Sequence, residues 1–151
     1  MNLSANFTLE ELTRSEVALR NGWDNTPSSE EIENLRRLAA LLQQVKTQLG
    51  GRPIIVNSAY RCKRVNDAVG SKDTSQHLLG CAADIKVPGL SPREVVDSCI
   101  FADLPFDQII LEFDAWTHIS VPNTAKLPPR GSKLIIDSKG TRPYVWTKKV
   151  S

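Results

Sequence analysis

Residues 75–84 read Ser75-Gln-His77-Leu-Leu-Gly80-Cys-Ala82-Ala-Asp84 and contain one of only two histidines in the chain. The second, His118, lies in the stretch Trp116-Thr-His118-Ile-Ser120. Two imidazoles and one carboxylate, from His77, Asp84 and His118, suit zinc with an open fourth position, which is the catalytic arrangement rather than the structural one. Spacing alone leaves open that these histidines are ordinary core or surface residues, because a histidine followed seven positions later by an aspartate is a weak pattern.

The segments around these residues read as strands. Gly80 allows a tight turn, and an apolar run follows, so residues 82–87 are predicted to form a strand with Ala82 and Asp84 on one face. Residues 116–121 form a second predicted strand, in which Trp116, His118 and Ser120 share a face. If the two strands are adjacent, Asp84 and His118 meet at one point.

The stretch Ser75 to Asp84 also matches, at every fixed position, the S-x-H-x-x-G-x-A-x-D signature of the zinc D-alanyl-D-alanine carboxypeptidases and related peptidoglycan peptidases. Further similarity covers roughly residues 7–121 and is closest to the short, phage-type members. It lies in Phe7-Thr-Leu-Glu-Glu-Leu-Thr13, Ile55-Val-Asn-Ser-Ala-Tyr-Arg61, Asp107-Gln-Ile-Ile-Leu-Glu112 and Trp116-Thr-His118.

This resemblance implies a fold and a set of site residues. The fold is expected to be α+β, a small and mainly antiparallel sheet with the first two helices packed on one side, as in D-Ala-D-Ala peptidases and the hedgehog signalling domain. One zinc would be held by His77, Asp84 and His118. Arg61 would point into the cleft, where a planar cation suits a developing oxyanion. From the residues alone, a surface arginine paired with Asp67 is the alternative.

By the same resemblance, Ser75 binds substrate or orients the first ligand, and Glu112 is the general base. Many members carry the base three residues before the last histidine ligand, where this chain has Ala115. Other members carry a glutamate six residues before it, as Glu112 stands before His118, and a short hairpin would bring both to one face. Asp114 in the turn is the runner-up, and an exposed strand glutamate without function is the alternative.

Length and composition favour one domain over residues 1–151, since 151 residues, 40% of them hydrophobic and 24% charged, are typical of a globular protein. The net charge of +2 does not demand a nucleic-acid partner. The basic residues are uneven, however. Residues 122–151 carry 7 basic and 1 acidic side chains, and this tail could meet an anionic polymer or simply face solvent.

The three cysteines, Cys62, Cys81 and Cys99, are an odd number without a C-x-x-C pair, which favours a reducing compartment over a disulfide framework. Cys81 and Cys99 are predicted to be buried. The N-terminus lacks the basic and apolar regions of a signal peptide, and no apolar run approaches the roughly 20 residues of a membrane span.

Local signals predict the remaining elements. A capping box at Thr8 begins a helix that runs to about Arg20, and a second capping box at Ser28 begins a helix that ends before Gly50. The further elements are a strand over residues 53–58, a loop or short helix over 62–74, a helix from Ser91, a hairpin of strands 106–112 and 116–121, and a last hairpin of strands 134–136 and 144–146.

The sequence therefore predicts a zinc-dependent peptidase that cleaves the stem or crossbridge of peptidoglycan, as a carboxypeptidase or an endopeptidase. It would act as a monomer without nucleic acid or membrane, made in the cytoplasm and reaching the cell wall as a phage lysin or virion-associated wall hydrolase. The main alternative is a non-catalytic, zinc-stabilised binding module of the same fold. Nucleic-acid binding through the basic tail is a weaker alternative.

Overall fold

A six-stranded sheet runs through the protein in the order β1-β2-β4-β3-β5-β6. We describe a computed structural model, and the structure describes residues 1–145. Every strand pairing is antiparallel except that of β3 with β5, which is parallel. The strands are β1 (Ile55–Ser58), β2 (Ala82–Lys86), β3 (Gln108–Glu112), β4 (Trp116–Ser120), β5 (Ser132–Asp137) and β6 (Gly140–Pro143).

Five α-helices and one 3₁₀ turn accompany the sheet in the described residues. They are α1 (Leu9–Thr13), α2 (Glu16–Asn21), α3 (Ser29–Gln48), α4 (Lys63–Ala68), the 3₁₀ turn (Gln76–Leu79) and α5 (Pro92–Phe101). The predicted α+β fold with a mainly antiparallel sheet is thus confirmed. Across residues 1–145, none of the helices combines the length and apolar character needed to cross a bilayer.

The long helix α3 supplies much of the core. Ser28 caps it by accepting a hydrogen bond from the Glu31 backbone N–H, and the Glu31 side chain accepts one from the Ser28 N–H, as the capping box predicted. Its apolar face is fully buried at Leu35, Leu38 and Leu42. Burying each such side chain contributes about 1.5–3 kcal/mol relative to leaving it exposed.

The two faces of the sheet carry different side chains, because successive residues of a strand point to opposite faces. On one face, Ala83, Ile85, Ile109, Leu111 and Ile119 join the hydrophobic core with almost no exposure. The neighbouring positions Asp84, Glu112 and His118 therefore point to the opposite face. Both predicted buried thiols, Cys81 and Cys99, are also in the core, and all three cysteines are free.

The predicted first helix is wrong in its extent, since it divides into α1 and α2. Arg14 adopts an extended backbone conformation after α1, and Ser15 starts α2 by accepting a hydrogen bond from the Ala18 N–H. A serine can lie inside a helix or cap the start of one, because its hydroxyl can bond to nearby backbone groups. Ser15 therefore did not show from the sequence alone that the helix is interrupted there.

The last hairpin exists, but its second strand was placed too late in the sequence. β6 ends at Pro143, whereas Tyr144 leaves the sheet, is buried, and donates its hydroxyl to Asp97. Strand β6 thus ends where the Tyr144 side chain joins the hydrophobic core. Trp146, Lys148 and Lys149, which also entered the sequence predictions, lie outside the described residues. Of the tail's other basic residues, Arg142 pairs with Asp137.

The turn at Gly80 offers a test of how α3 packs against the metal-binding motif. Gly80 has a left-handed backbone with φ of +76°, and a Cβ there would lie 2.9 Å from the Glu31 carbonyl oxygen. Gly70 has nearly the same φ, +74°, with nothing near its Cβ position. We expect Gly80→Ala to lower the free energy of unfolding by about 3–4 kcal/mol and Gly70→Ala by about 1–2 kcal/mol, because only the first adds a clash to the backbone strain. Denaturant unfolding measures both, and equal losses would show that the close approach of α3 is unimportant.

Candidate metal centre

The pairing of β2 with β4 brings two of the predicted ligands together. Asp84 and His118 are directly opposite each other in the antiparallel register, with their side chains on the face away from the core. The Nδ1 atom of His118 lies 2.9 Å from Oδ1 of Asp84. The sheet register alone therefore fixes this part of the cluster.

The third member, His77, lies on the 3₁₀ turn and is held by a backbone group. Its Nδ1 atom is 2.6 Å from the Ala59 carbonyl oxygen. A carbonyl only accepts, so Nδ1 carries the proton and Nε2 keeps a free lone pair. Nε2 is buried, has no hydrogen-bond partner within residues 1–145, and lies 3.4 Å from Oδ2 of Asp84. Nε2 is therefore the atom that can bind a metal. A hydrogen bond on the other ring nitrogen, here Nδ1 with the Ala59 carbonyl, is the usual way in which a protein orients a histidine ligand.

The three residues form a group that could hold one metal ion. Their ligand atoms all lie within 4.8 Å of one another. Burial lowers the pKa of His77, which favours the neutral imidazole that metal binding requires. Burial of Asp84 disfavours its charge, but the hydrogen bond with His118 and the neighbouring His77 outweigh this and keep its pKa well below the ordinary range. Two neutral imidazoles and one carboxylate fit zinc with one position left open for chemistry.

Glu112 reaches the same cluster from β3. The register pairs Ile110 with His118 and Glu112 with Trp116, so Glu112 is on the face of the sheet that carries His118. Its Oε1 atom lies 3.8 Å from Nδ1 of His118. Burial and the negative charge of Asp84 raise the pKa of Glu112, whereas His118 and Arg61 act against this. Asp114, by contrast, is exposed in the turn.

Arg61 also faces the cluster. Its Nη2 atom is 3.8 Å from Oδ2 of Asp84, and its side chain is 13% exposed. The alternative of a surface arginine paired with Asp67 is wrong, because Arg61 is largely buried beside Asp84, and Asp67 pairs instead with Lys63 at 2.9 Å. Nε of Arg61 is buried and, in the part of the chain that the structure describes, has no hydrogen-bond partner.

Hydrogen bonds from several parts of the chain hold the backbone around Arg61 in place. The Arg61 N–H donates to the His77 carbonyl, and the Tyr60 N–H donates to the Leu12 carbonyl. Asn25 donates to the carbonyl of Tyr60 and accepts from the N–H of Cys62. Asn25 was not identified from the sequence, where it is one polar residue in a loop.

Residues next to His77 brace the 3₁₀ turn. The Ser75 hydroxyl accepts a hydrogen bond from the His77 N–H, so it supports the backbone of that residue, while its contact with substrate stays a prediction. Gln76 donates to the buried carboxylate of Asp107, which also forms a two-point ion pair with Arg130. Sequence analysis missed this Gln76–Asp107–Arg130 chain, because 54 residues of sequence separate its ends.

The fold and the cluster together have the organisation of a metal-dependent peptidase: two histidines and one aspartate on an α+β scaffold, with a carboxylate and an arginine beside them. The chain belongs to the peptidase M15 family, whose model matches residues 5–120. It is also 32% identical over 82 residues to the zinc D-Ala-D-Ala carboxypeptidase of Streptomyces albus G. That match spans 53% of this chain and 31% of the relative. The family resemblance inferred from the motifs is thereby confirmed.

Zinc binding by the cluster can be tested directly. We expect the purified chain to bind one equivalent of zinc, and His77→Ala, Asp84→Ala and His118→Ala each to weaken binding strongly, because each removes one of three ligands. Asp114→Asn, which changes an exposed carboxylate in the adjacent turn, should bind zinc like the parent. Equilibrium dialysis with metal analysis gives the stoichiometry. Full zinc retention by the double variant His77→Ala, His118→Ala would contradict the assignment.

The Asp107 ion pair predicts a dependence of stability on pH. Burial opposes ionisation of Asp107, but hydrogen bonds from Arg130 outweigh it and lower the pKa of this carboxyl from its ordinary 3.8. The contribution of ionised Asp107 to the free energy of unfolding is therefore fully present above the unfolded-state pKa of 3.8. It is lost as the pH falls from there through the lower pKa of the folded state. We expect Asp107→Asn to cost about 1–3 kcal/mol of unfolding free energy at neutral pH and progressively less toward pH 3.

Denaturant unfolding of parent and Asp107→Asn across this pH range measures the effect. Asp103→Asn is the matched control, since Asp103 is exposed and should show little change at any pH. A cost for Asp107→Asn that is the same at acid and neutral pH would show that the ion pair is not its source.

Proposed function

We propose that this protein is a zinc-dependent peptidase that hydrolyses a peptide bond of bacterial peptidoglycan. The observation that carries the proposal is the convergence of His77, Asp84 and His118 within 4.8 Å, beside both Glu112 and Arg61. A merely structural zinc site would need four protein ligands, and the described residues bring three together here.

Each residue has a definite part in the proposed reaction. Zinc, when bound by the three ligands, supplies Lewis acidity toward a carbonyl oxygen and lowers the pKa of water. Glu112 takes the proton from the attacking water and passes it to the leaving nitrogen, for which a half-buried carboxylate with a raised pKa is suited. Arg61 donates to the oxygen of the scissile carbonyl as negative charge develops there.

The substrate class rests on the family and on one relative's name. Membership of the M15 peptidases and similarity to a zinc D-Ala-D-Ala carboxypeptidase favour a peptide bond next to a D-amino acid. The released products will distinguish a carboxypeptidase, which removes the last residue of the stem peptide, from an endopeptidase, which cuts within a crosslink. The setting of a phage lysin or virion-associated wall hydrolase, the single-domain organisation and the monomeric state stay predictions from the sequence.

Glu112→Gln separates catalysis from metal binding. The amide preserves size but cannot accept the proton of water, so we expect zinc binding to be retained and turnover to drop by roughly a hundredfold or more. Mass spectrometry of the muropeptides released from purified peptidoglycan measures turnover and identifies the bond cut. Asp114→Asn is the control and should retain nearly the parent rate.

Two outcomes would redirect the proposal. If Asp114→Asn loses activity while Glu112→Gln keeps it, Asp114 is the base. If zinc raises the melting temperature but the parent releases no fragment from any wall preparation, the protein is the non-catalytic binding module instead.

A further inference from the structure

The indole of Trp116 carries a buried polar atom that the proposed reaction does not use. Within residues 1–145, four buried side-chain atoms have no hydrogen-bond partner, and Nε1 of Trp116 is one of them. Two others, Nε2 of His77 and Nε of Arg61, belong to the site already described. Unpaired buried polar atoms are rare in native proteins, and each one calls for an explanation such as strain or a functional role.

The hairpin of β3 and β4 places the Trp116 ring beside Glu112. The two residues are direct partners in the antiparallel register, so their side chains lie on the same face of the sheet, with Cβ atoms roughly 4.5–5.5 Å apart. His118 is on that face too, and its Nδ1 atom lies 3.8 Å from Oε1 of Glu112. The Trp116 ring also packs near that of Phe113, with 6.3 Å between the ring centroids. Trp116, Glu112 and His118 therefore form one cluster on the site face of the sheet.

The indole N–H acts on the carboxylate of Glu112. Burial and a neighbouring carboxylate raise the pKa of Glu112, and the Trp116 N–H is one of the groups that act against this rise. The N–H therefore faces the carboxylate, although in the described part of the chain it stops short of a hydrogen bond with good geometry. Hydrogen bonds to catalytic groups are often long in a free enzyme and tighten when the substrate binds.

The burial of this N–H argues against two other roles. Nε1 exposes almost no surface, so a substrate oxygen could reach it only by displacing the side chains around it, whereas Glu112 keeps 20% of its side chain exposed. A purely hydrophobic role is also unfavourable, because a phenylalanine would supply an aromatic ring without burying an unpaired donor. A partner supplied by Glu112 explains both the indole and its burial.

We propose that Trp116 is a positioning residue that holds the Glu112 carboxylate in the orientation required of the general base. This inference rests on the proposed peptidase function and adds a residue that acts through Glu112 rather than on the substrate. An N–H donated to one carboxylate oxygen leaves the other oxygen free to take the proton of the attacking water. Without that contact, a glutamate can rotate about three side-chain bonds, and only a few of the resulting rotamers place the carboxylate at the water.

Trp116→Phe removes the N–H and keeps an aromatic ring near Phe113. The probe is a preparation of soluble crosslinked muropeptides whose stems end in D-Ala-D-Ala, which offers both kinds of bond. We expect kcat to fall roughly tenfold to a hundredfold, because a misplaced catalytic group costs about this much, while KM changes less than about twofold. Trp23→Phe is the matched control: it removes an indole in the N-terminal loop, where the ring contacts Arg64, and should keep the parent kcat and KM.

A double-mutant cycle shows whether Trp116 acts through Glu112. In Glu112→Gln the base is already absent, so adding Trp116→Phe should lower kcat further by less than about twofold. A merely structural role would give the same loss in both backgrounds. Equilibrium dialysis should show that Trp116→Phe still binds one equivalent of zinc, which confirms that the variant folds around its metal.

The nuclear magnetic resonance signal of the indole N–H tests the contact without turnover. The chain has three tryptophans, and the signal that is missing from Trp116→Phe identifies that of Trp116. In the zinc-loaded full chain, Glu112→Gln should shift this signal more than those of the other two indoles, because it removes the negative charge from the acceptor. Asp114→Asn removes an exposed carboxylate from the same hairpin turn and is the control, which should leave the signal in place.

The outcomes separate this inference from the proposed function. A higher KM with unchanged kcat in Trp116→Phe, an equal loss in both backgrounds, or an indole signal that does not respond to Glu112→Gln overturns the positioning role and leaves the peptidase assignment intact. If the parent cleaves no muropeptide but the indole signal responds to Glu112→Gln, the contact stands and the hydrolase is contradicted. If the parent cleaves nothing and the signal does not respond, both are overturned.

Discussion

The pKa of the Asp84 carboxyl is well below its ordinary range although only 15% of its side chain is exposed, so the surrounding structure must compensate for a buried negative charge. Removing an ion from water costs several kcal/mol unless partners replace the lost hydration. Three groups surround it, the imidazoles of His77 and His118 and the guanidinium of Arg61, and of these His118 and Arg61 can donate to the carboxylate. They come from the 3₁₀ turn, from β4 and from the segment after β1, so one buried charge ties three separate parts of the chain to the same point.

Backbone contacts hold these partners in place. The Ala59 carbonyl fixes the ring of His77, and the His77 carbonyl in turn accepts from the Arg61 N–H. Asn25 ties the N-terminal loop to the residues on either side of Arg61. The helices that precede β1 therefore do more than cover the core. Through Leu12, α1 holds the backbone just before Arg61, and residues 14–17 line a cavity of about 480 Å³ together with Arg61 and Asp84.

The β3–β4 hairpin determines where Glu112 stands. A register slip of one residue would turn Glu112 into the core and leave the cluster without a carboxylate beside it. The turn that prevents this carries Phe113 and Asp114 in left-handed backbone conformations, with φ of 55° and 49°. Left-handed backbone in a residue other than glycine costs on the order of 1–3 kcal/mol and persists only where its surroundings enforce it. Strain in this turn thus accompanies the placement of the proposed base.

The sequence by itself determined the α+β class, the hairpin with Glu112 and His118, and the grouping of His77 and Asp84 in one motif. These features depend on local signals: capping boxes, the alternation of apolar residues and a ten-residue signature. Tertiary structure alone decided the contacts between distant segments, such as Ala59 with His77, Gln76 with Asp107 and Asn25 with Tyr60. It also ended the first helix at Arg14, took Tyr144 out of the last strand and left β1 at the edge of the sheet beside the metal cluster. The reason is physical: such contacts depend on which segments come together in space, and separation along the chain carries no local pattern that records it.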